Sequence, residues 1–590
     1  METLAERPVI GVRAIVDGRD SLRTAQSQPV LDLTRQVCRL LEEHVFYADG
    51  TPVRCVMSDP VGSSVDAVRT MEAFRRQNVG AVVHVARAWS YPMEILYDDA
   101  QIPQLIWGLS GSNAPGTVFM GAQAAAAAQV GVPLFKVYGM DIQDADDVSI
   151  PTDVAEKIVL FGQCALAVAQ MRRKAYLCVG TTCMGIGAAG PEHDFYRRYL
   201  GMRVQSVDMS EVLRRLKEQV YDEAEYAKAR RWARSFCLEG EDPNPPQMRR
   251  TQEEKERDWD VCVKMALILR DLMDGNPMLA EQGFAEAAQG FDALTASFQG
   301  QRHWTDWMPT NDFAESVLNA GFDWNGPRRP HPIATENDAL QAAAMLFGAL
   351  LTGGAQLFCD VRGYWSVAAL RARYGDVPSQ TPDGFFYLTN SGSMALDGCM
   401  GARENGAPAI KPFWNLTDED VARCQSHVQW HAAKRAVFRG GGFSVSFRAE
   451  GGVPLTMVRL NMVHGLGPTL QIVEGCTVNL PDPVADGVTN RTDPTWPQVF
   501  FVPRSTDRPA SGSVYRMMES WGSNHCVLCP GHVGAAFATL ASILRVPVSL
   551  HNLPFEQLFR PDLWKQFGAD DPIGADFRAC AAYGPLYGVK

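Results

Sequence analysis

The 590-residue chain is 46% hydrophobic and 21% charged, which describes a globular protein and excludes a disordered or fibrous one. A formal net charge of -12 argues against broad binding to nucleic acid or to a membrane surface, since both want a basic face. The length exceeds one ordinary core, so about three or four domains are expected.

The first residues, "METLAERPVIGVRAIVDGRD", carry acids where a signal peptide needs basic groups and contain no continuous apolar stretch. Two apolar passages near membrane length, Leu340 to Phe358 and Gly531 to Leu550, are broken by polar residues and glycines. They read as buried elements rather than spanning helices. Fourteen scattered cysteines read as reduced thiols, and a cytoplasmic protein is expected.

In chain order, "PVIGVRAIV" (8–16) predicts a strand and "SLRTAQSQPVLDLTRQVCRLLEEH" (21–44) a helix. "PVRCVMSD", "VGAVVHVARAW", "QLIWGLSG" and "PLFKVYGMD" continue an alternation that implies a parallel sheet covered on both faces. A second α/β unit begins near Lys174 with the strand "KAYLCVG", and two long helices follow, around 212–237 and 250–274. From about residue 352, glycine, proline and tryptophan become frequent. "PLTMVRLNMV" and "PTLQIVEGCTVNL" then stand at hairpin spacing, which predicts a more β-rich domain. The expected organisation is α/β: two N-terminal α/β domains with parallel sheets, 1–172 and 173–352, then a β-rich C-terminal domain, 353–590.

The passage "PIATENDALQAAAMLFGALLTGGAQLFCD" (332–360) raises a chemical question, because carboxylates bracket its most apolar run. The pattern predicts a short strand ending at Glu336, a helix capped by Asp338 and closed by a glycine pair, and a second strand ending at Asp360. If the two strands were parallel in one sheet, Glu336 and Asp360 would share the edge where open α/β sheets hold ligands. Such a pair suits a hard cation or proton transfer, but also helix capping or pairing with an arginine such as Arg362.

Other motifs compete. His525, Cys526, Cys529 and His532 are spaced H-C-x-x-C-x-x-H, yet no second knuckle accompanies them, and a single histidine joining an acid-rich site is the better reading. Gly185, Gly187 and Gly190 spell G-x-G-x-x-G after a strand, with Asp208 about 20 residues on, the outline of a dinucleotide site and hence of an NAD-dependent sugar dehydrogenase. Four residues between strand end and first glycine, and the proline and acids after Gly190, weigh against it. "FRGGGF" and "GLGP" lack the P-loop lysine. Trp89 and Trp496 stand beside turns, as sugar platforms or as packing residues.

Taken together, "IGVRAIVDGR", "YGMDIQDADDVSIP", "FQGQRHWTD", "ATEND", "FRGGGF", "WGSNH" and "YGPLYG" make the chain resemble the L-fucose isomerase family over nearly its whole length. The resemblance implies an aldose–ketose isomerase acting on L-fucose and D-arabinose, a three-domain subunit, and a homohexamer with sites between subunits. It also implies Mn2+ held by Glu336, Asp360 and His525, the two carboxylates transferring protons. Substrate contacts would fall on Arg13, Trp89, Gln299, Ser391, Trp496 and Asn524. The chain departs from the family pattern at "AWSYP" around Trp89, at Gly363 in place of a threonine, and at Val437 in place of a tyrosine. These departures leave the preferred aldose open.

Overall fold

The computed structural model describes residues 7–90, 100–111, 115–144, 147–375, 379–505, 513–561, 564 and 572–588. Tyr91 and Pro92 of "AWSYP" lie outside the described residues.

The first unit is built on strands β1 (Val9–Ile15), β2 (Cys55–Met57), β3 (Val79–Ala86), β4 (Gln104–Gly108) and β5 (Leu134–Val137). They form a parallel sheet in the order 2-1-3-4-5. Helices α1 (Asp20–His44), α2 (Ser64–Arg76), α3 (Gly116–Val130) and α4 (Thr152–Met171) connect and cover it, because apolar β-branched runs buried on both faces need helices on each side. α4 is long and apolar enough to cross a bilayer, and its Val154, Ile158, Phe161 and Cys164 are fully buried inside the protein.

The second unit has β6 (Ala175–Val179), β7 (Arg203–Val207), β8 (Ala293–Phe298) and the two-residue β9 (Ile333–Ala334), parallel in the order 9-8-6-7. The single helix expected over 212–237 is two, α5 (Met209–Glu218) and α6 (Glu223–Phe236). Gln219 adopts a left-handed φ of 58°, and Asp222 caps the next helix through Ala224 and Glu225 N–H groups. A local cap thus overrides a continuous amphipathic pattern. α7 (Gln252–Asp274) follows, opened by a Thr251–Glu254 capping box.

α8 (Ala339–Thr352) leads from the second sheet to the third. Its N-cap is Asp338, as expected, and Gly353 closes it in the left-handed conformation, φ 63°. The helix is buried almost all round, packed on β8, α4 and three strands of the third sheet.

The third unit contains β10 (Leu357–Trp365), β11 (Phe385–Thr389), β12 (Pro454–Val463), β13 (Gly467–Thr477), β14 (Gln498–Pro503), β15 (His525–Pro530) and β16 (Val548–Leu550). The order is 12-15-10-11-14-13-16, and the β12–β13 hairpin closes the first six, all antiparallel, into a barrel. β16 joins β13 in parallel. This is the β-rich unit the glycine- and tryptophan-rich composition predicts.

Two expectations about residues 332–360 need correction. β9 and β10 lie in different sheets, and β10 runs five residues past Asp360. The reason is alternation. Leu357, Cys359 and Val361 fill one apolar cluster while Phe358 joins another, so "LFCDV" keeps its two-residue period through the acid and pairs onward with β11. Asp360 shares the Phe358 face, toward α8.

Gly353 tests this hinge. A methyl there would strike the Trp414 ring on a left-handed backbone. Gly353→Ala should cost about 1–2 kcal/mol from the backbone alone, read as a lower thermal unfolding midpoint by circular dichroism.

Candidate active site

His525 opens β15 and stands directly across from Asp360 in the β10–β15 register. Residues opposed in an antiparallel pair project to the same face, so the imidazole and the carboxylate are neighbours by strand geometry. Glu336 comes from the other sheet. It follows β9 with a left-handed φ of 56°, and Asn337 does likewise at 57°. Two consecutive non-glycine residues in this region are strained. They are held against Gly300, where an added methyl would sit 3.3 Å from Glu336 N. The chain turns sharply here, and the turn delivers the Glu336 carboxylate to His525.

His525 Nε2 lies 3.1 Å from Glu336 Oε2 and 3.7 Å from Asp360 Oδ1. On the far side of the ring, Nδ1 stands 2.7 Å from Asp338 Oδ2, and the same oxygen receives Arg459 Nη1 at 2.5 Å. A carboxylate can only accept, so Nδ1 carries a hydrogen, and Nε2 is the ring nitrogen left to face the other two acids. Nε2 is buried and, despite its closeness to Glu336, is not aligned with any hydrogen-bond partner among the described residues. Three electron-pair donors therefore converge, and a proton or a cation must separate them.

The titration directions express the same frustration. Burial disfavours a charged His525, but the hydrogen bond that Asp338 accepts, the close Glu336 carboxylate and the charges of Asp338 and Asp360 carry it up to about 10. Burial first, and then the Glu336 charge, raises Asp360 to about 6. With carboxylates alone around it the ring binds a second proton, and a divalent ion at Nε2 would displace it. Among the described residues, no three His, Cys, Asp or Glu side chains stand close enough together to hold a metal ion as they are placed. Adjacent ligands of an octahedral ion bound at 2.0–2.1 Å stand about 3 Å apart. The 3.1 Å pair already has that spacing, and the 3.7 Å pair is somewhat wider. Two carboxylates and one imidazole fit a hard divalent ion such as Mn2+.

Around this triad, Gln299 follows β8 with its amide engaged: Oε1 accepts from Thr181 N at 3.2 Å and Nε2 donates to Arg302 O at 3.0 Å. Ser391 stands two residues beyond Thr389, the cross-strand partner of Asp360. Asn524 precedes His525, and its carbonyl accepts from Val361 N at 2.7 Å. Trp496 lies under the Arg362 guanidinium, 5.5 Å from ring centre to Cζ. Arg13 and Trp89 belong to the first α/β unit. Arg13 is buried on β1 over Phe74, and Trp89, three residues past β3, packs edge-on against Phe119 at 5.9 Å.

The rival motifs do not assemble. Gly185 and Gly187 sit in a loop where an added methyl would meet nothing within 4 Å, and no helix starts on that loop before His193. Asp208 is spent capping α5 through Ser210 N. The dinucleotide outline is therefore a loop, and it backs the Glu336 turn through Cys183 Sγ, 3.6 Å from Glu336 O. Cys526 faces the other side of β15 from His525, and His532 bonds the Gly475 carbonyl at 2.9 Å, so no four-ligand zinc site forms.

The sequence reading missed what holds His525. Asp338 was read as a helix cap, and it is one, through Gln341 N at 3.1 Å. It is also the histidine's partner. Arg459 gave a signal: it is the one charge in the apolar strand "PLTMVRLNMV", and a charge buried there needs a counter-ion.

The barrel on two α/β units, with a carboxylate–imidazole triad at their junction, defines a sugar isomerase architecture, and comparisons with known proteins agree. Residues 7–173, 174–353 and 388–552 match the models of the L-fucose isomerase first N-terminal, second N-terminal and C-terminal domains. The chain is 46% identical over 587 residues to an L-fucose isomerase of Phocaeicola vulgatus, covering 98% of this chain and 99% of that one. It is 45% identical over 581 residues to one from Vibrio vulnificus, covering 98% and 99%, and 44% identical over 590 residues to one from Haemophilus influenzae, covering all of both. The chain belongs to the L-fucose isomerase family. It is thus an enzyme of the aldose–ketose isomerase class, an intramolecular oxidoreductase.

Asp338 carries a direct prediction. Asp338 and Arg459 are both buried, with side chains 0% and 1% exposed, so Asp338→Ala leaves Arg459 uncompensated and should destabilise by about 3–5 kcal/mol. Asp338→Asn keeps a capping oxygen but loses the charge behind Nδ1. A divalent ion held at Nε2 would then bind about 10–100-fold more weakly, measured by titration calorimetry with Mn2+.

Proposed function

We propose that this enzyme converts L-fucose to L-fuculose, and D-arabinose to D-ribulose, through an ene-diol, using Mn2+ held by Glu336, Asp360 and His525. The observation that carries this reading is the buried Nε2 of His525, its ring fixed from behind by Asp338 and this nitrogen turned on two carboxylates. When bound, the ion would polarise the carbonyl of the open-chain sugar.

The chain's own groups do the rest. Isomerisation moves one proton from C2 to C1 and one between the two oxygens. Glu336 and Asp360 reach the same space from different sheets, so one carboxylate takes the C2 proton while the other serves the opposite side of the ene-diol. His525 holds its place between them and moves no proton once its Nε2 lone pair is committed. Asn524, Ser391 and Gln299, set around the triad on the ends of β15, β11 and β8, supply polar groups that orient hydroxyls. Burial of Glu336 and His525 limits the access of bulk water to one side of the site, which slows exchange of a proton in transit.

A homohexamer with sites between subunits belongs to the same reading. Its support is that Arg13 and Trp89, expected at the sugar, belong to the first α/β unit and not to the sheets that carry the triad. Fourteen free thiols suit the reducing cytoplasm.

Glu336→Gln and Asp360→Asn should each lower kcat on L-fucose by at least about 100-fold with the circular dichroism spectrum unchanged. EDTA should abolish turnover and Mn2+ restore it. Turnover that survives either substitution, or that ignores chelation, would contradict the assignment.

A further inference from the structure

Arg362 has no role in the account so far, yet it touches two of its residues. Its Nη1 stands 3.5 Å from Asp360 Oδ2, and its guanidinium lies over the Trp496 ring at 5.5 Å. The β10–β11 register slips between Val361 and Gly363, leaving Arg362 at the irregularity. Such a bulge re-aims a side chain without breaking the sheet. The next residue is Gly363, where an added methyl would meet nothing within 4 Å, and the Arg362 side chain is 44% exposed. The guanidinium therefore borders open space.

The two oxygens of Asp360 are thereby divided. Oδ1 faces His525 Nε2 at 3.7 Å, and Oδ2 faces Arg362. Rotation of the carboxylate about its terminal bond exchanges these oxygens, and the Arg362 charge favours the orientation with Oδ2 turned to it. Arginine suits this duty because its flat guanidinium can stack on an indole and keep its N–H groups in the plane, directed at the acid.

We infer that Arg362 is a positioning residue for the isomerisation: it anchors Oδ2 of Asp360 so that Oδ1 stays turned to Glu336 and His525, with Trp496 as its stacking platform. Trp496 then acts through Arg362, besides the sugar contact that the family resemblance implies. This rests on the isomerase reading above.

A double-mutant cycle tests it on the full-length protein with Mn2+ and L-fucose. Arg362→Met should lower kcat at least fivefold while KM stays within threefold, and Arg362→Lys, which keeps the charge but not the planar stack, should fall between. Trp496→Ala should lower kcat in the same manner, and the double variant should be no slower than Arg362→Met alone. A smaller kcat loss in Arg362→Met overturns the inference, and so do losses that multiply in the double variant or a Trp496→Ala defect confined to KM. Thermal midpoints of all variants confirm folding, with Trp496→Phe as the conservative substitute should the alanine variant fail to fold. An unsubstituted enzyme that isomerises no aldose fails the underlying reading, while an active enzyme indifferent to Arg362→Met fails only this inference.

Discussion

The interaction on which the site depends is the buried contact of Asp338 with both His525 and Arg459. One carboxylate oxygen takes the imidazole Nδ1–H and the guanidinium together, while the other caps α8. An ion pair this deep is poor evidence of net stability, since desolvation offsets most of the attraction. Its consequence is directional. It fixes the histidine tautomer, and with the tautomer the direction of the Nε2 lone pair. It also joins three elements, because Asp338 belongs to α8, His525 to β15 and Arg459 to β12.

The architecture follows from that junction. α8 leaves the parallel sheet just after Glu336 and ends at the glycine that turns the chain into the barrel, where Asp360 stands opposite His525. The two carboxylates are 24 residues apart in sequence and come from different sheets, and a buried helix holds one against the other. Strain is concentrated at the Glu336 turn, where two consecutive residues take left-handed φ values, and the surrounding packing must over-determine it. A site spanning two sheets uses each sheet's rigidity without requiring either to carry all the ligands.

Much of this was legible in local sequence. The Asp338 cap, the apolar helix and the closing glycine were readable as one unit because capping and periodicity act over a single turn of chain. The β12–β13 hairpin was readable for the same reason. Barrel closure was not, because the β10–β15 pairing joins residues 165 apart, and no local pattern announces a partner at that distance. The same blindness put Asp360 at a strand end and hid its pairing with His525. The break between α5 and α6 was hidden by a different cause, a left-handed Gln219 followed by the Asp222 cap, where local capping overrides a continuous amphipathic period. Of the site, the three triad residues came from the family resemblance, with the paired acids visible in their own right. Asp338 as a histidine partner and Arg362 as a neighbour of Asp360 emerged only from the folded chain.

The central claim is that Glu336, Asp360 and His525 Nε2 share one divalent ion. Anomalous scattering from crystals of the Mn2+-loaded protein measures this most directly. The account predicts a strong peak within about 2.0–2.4 Å of His525 Nε2 and of one oxygen from each carboxylate, with Asp338 still bonded to Nδ1. A manganese peak elsewhere, or a triad closed on itself by hydrogen bonds at saturating Mn2+, would contradict it.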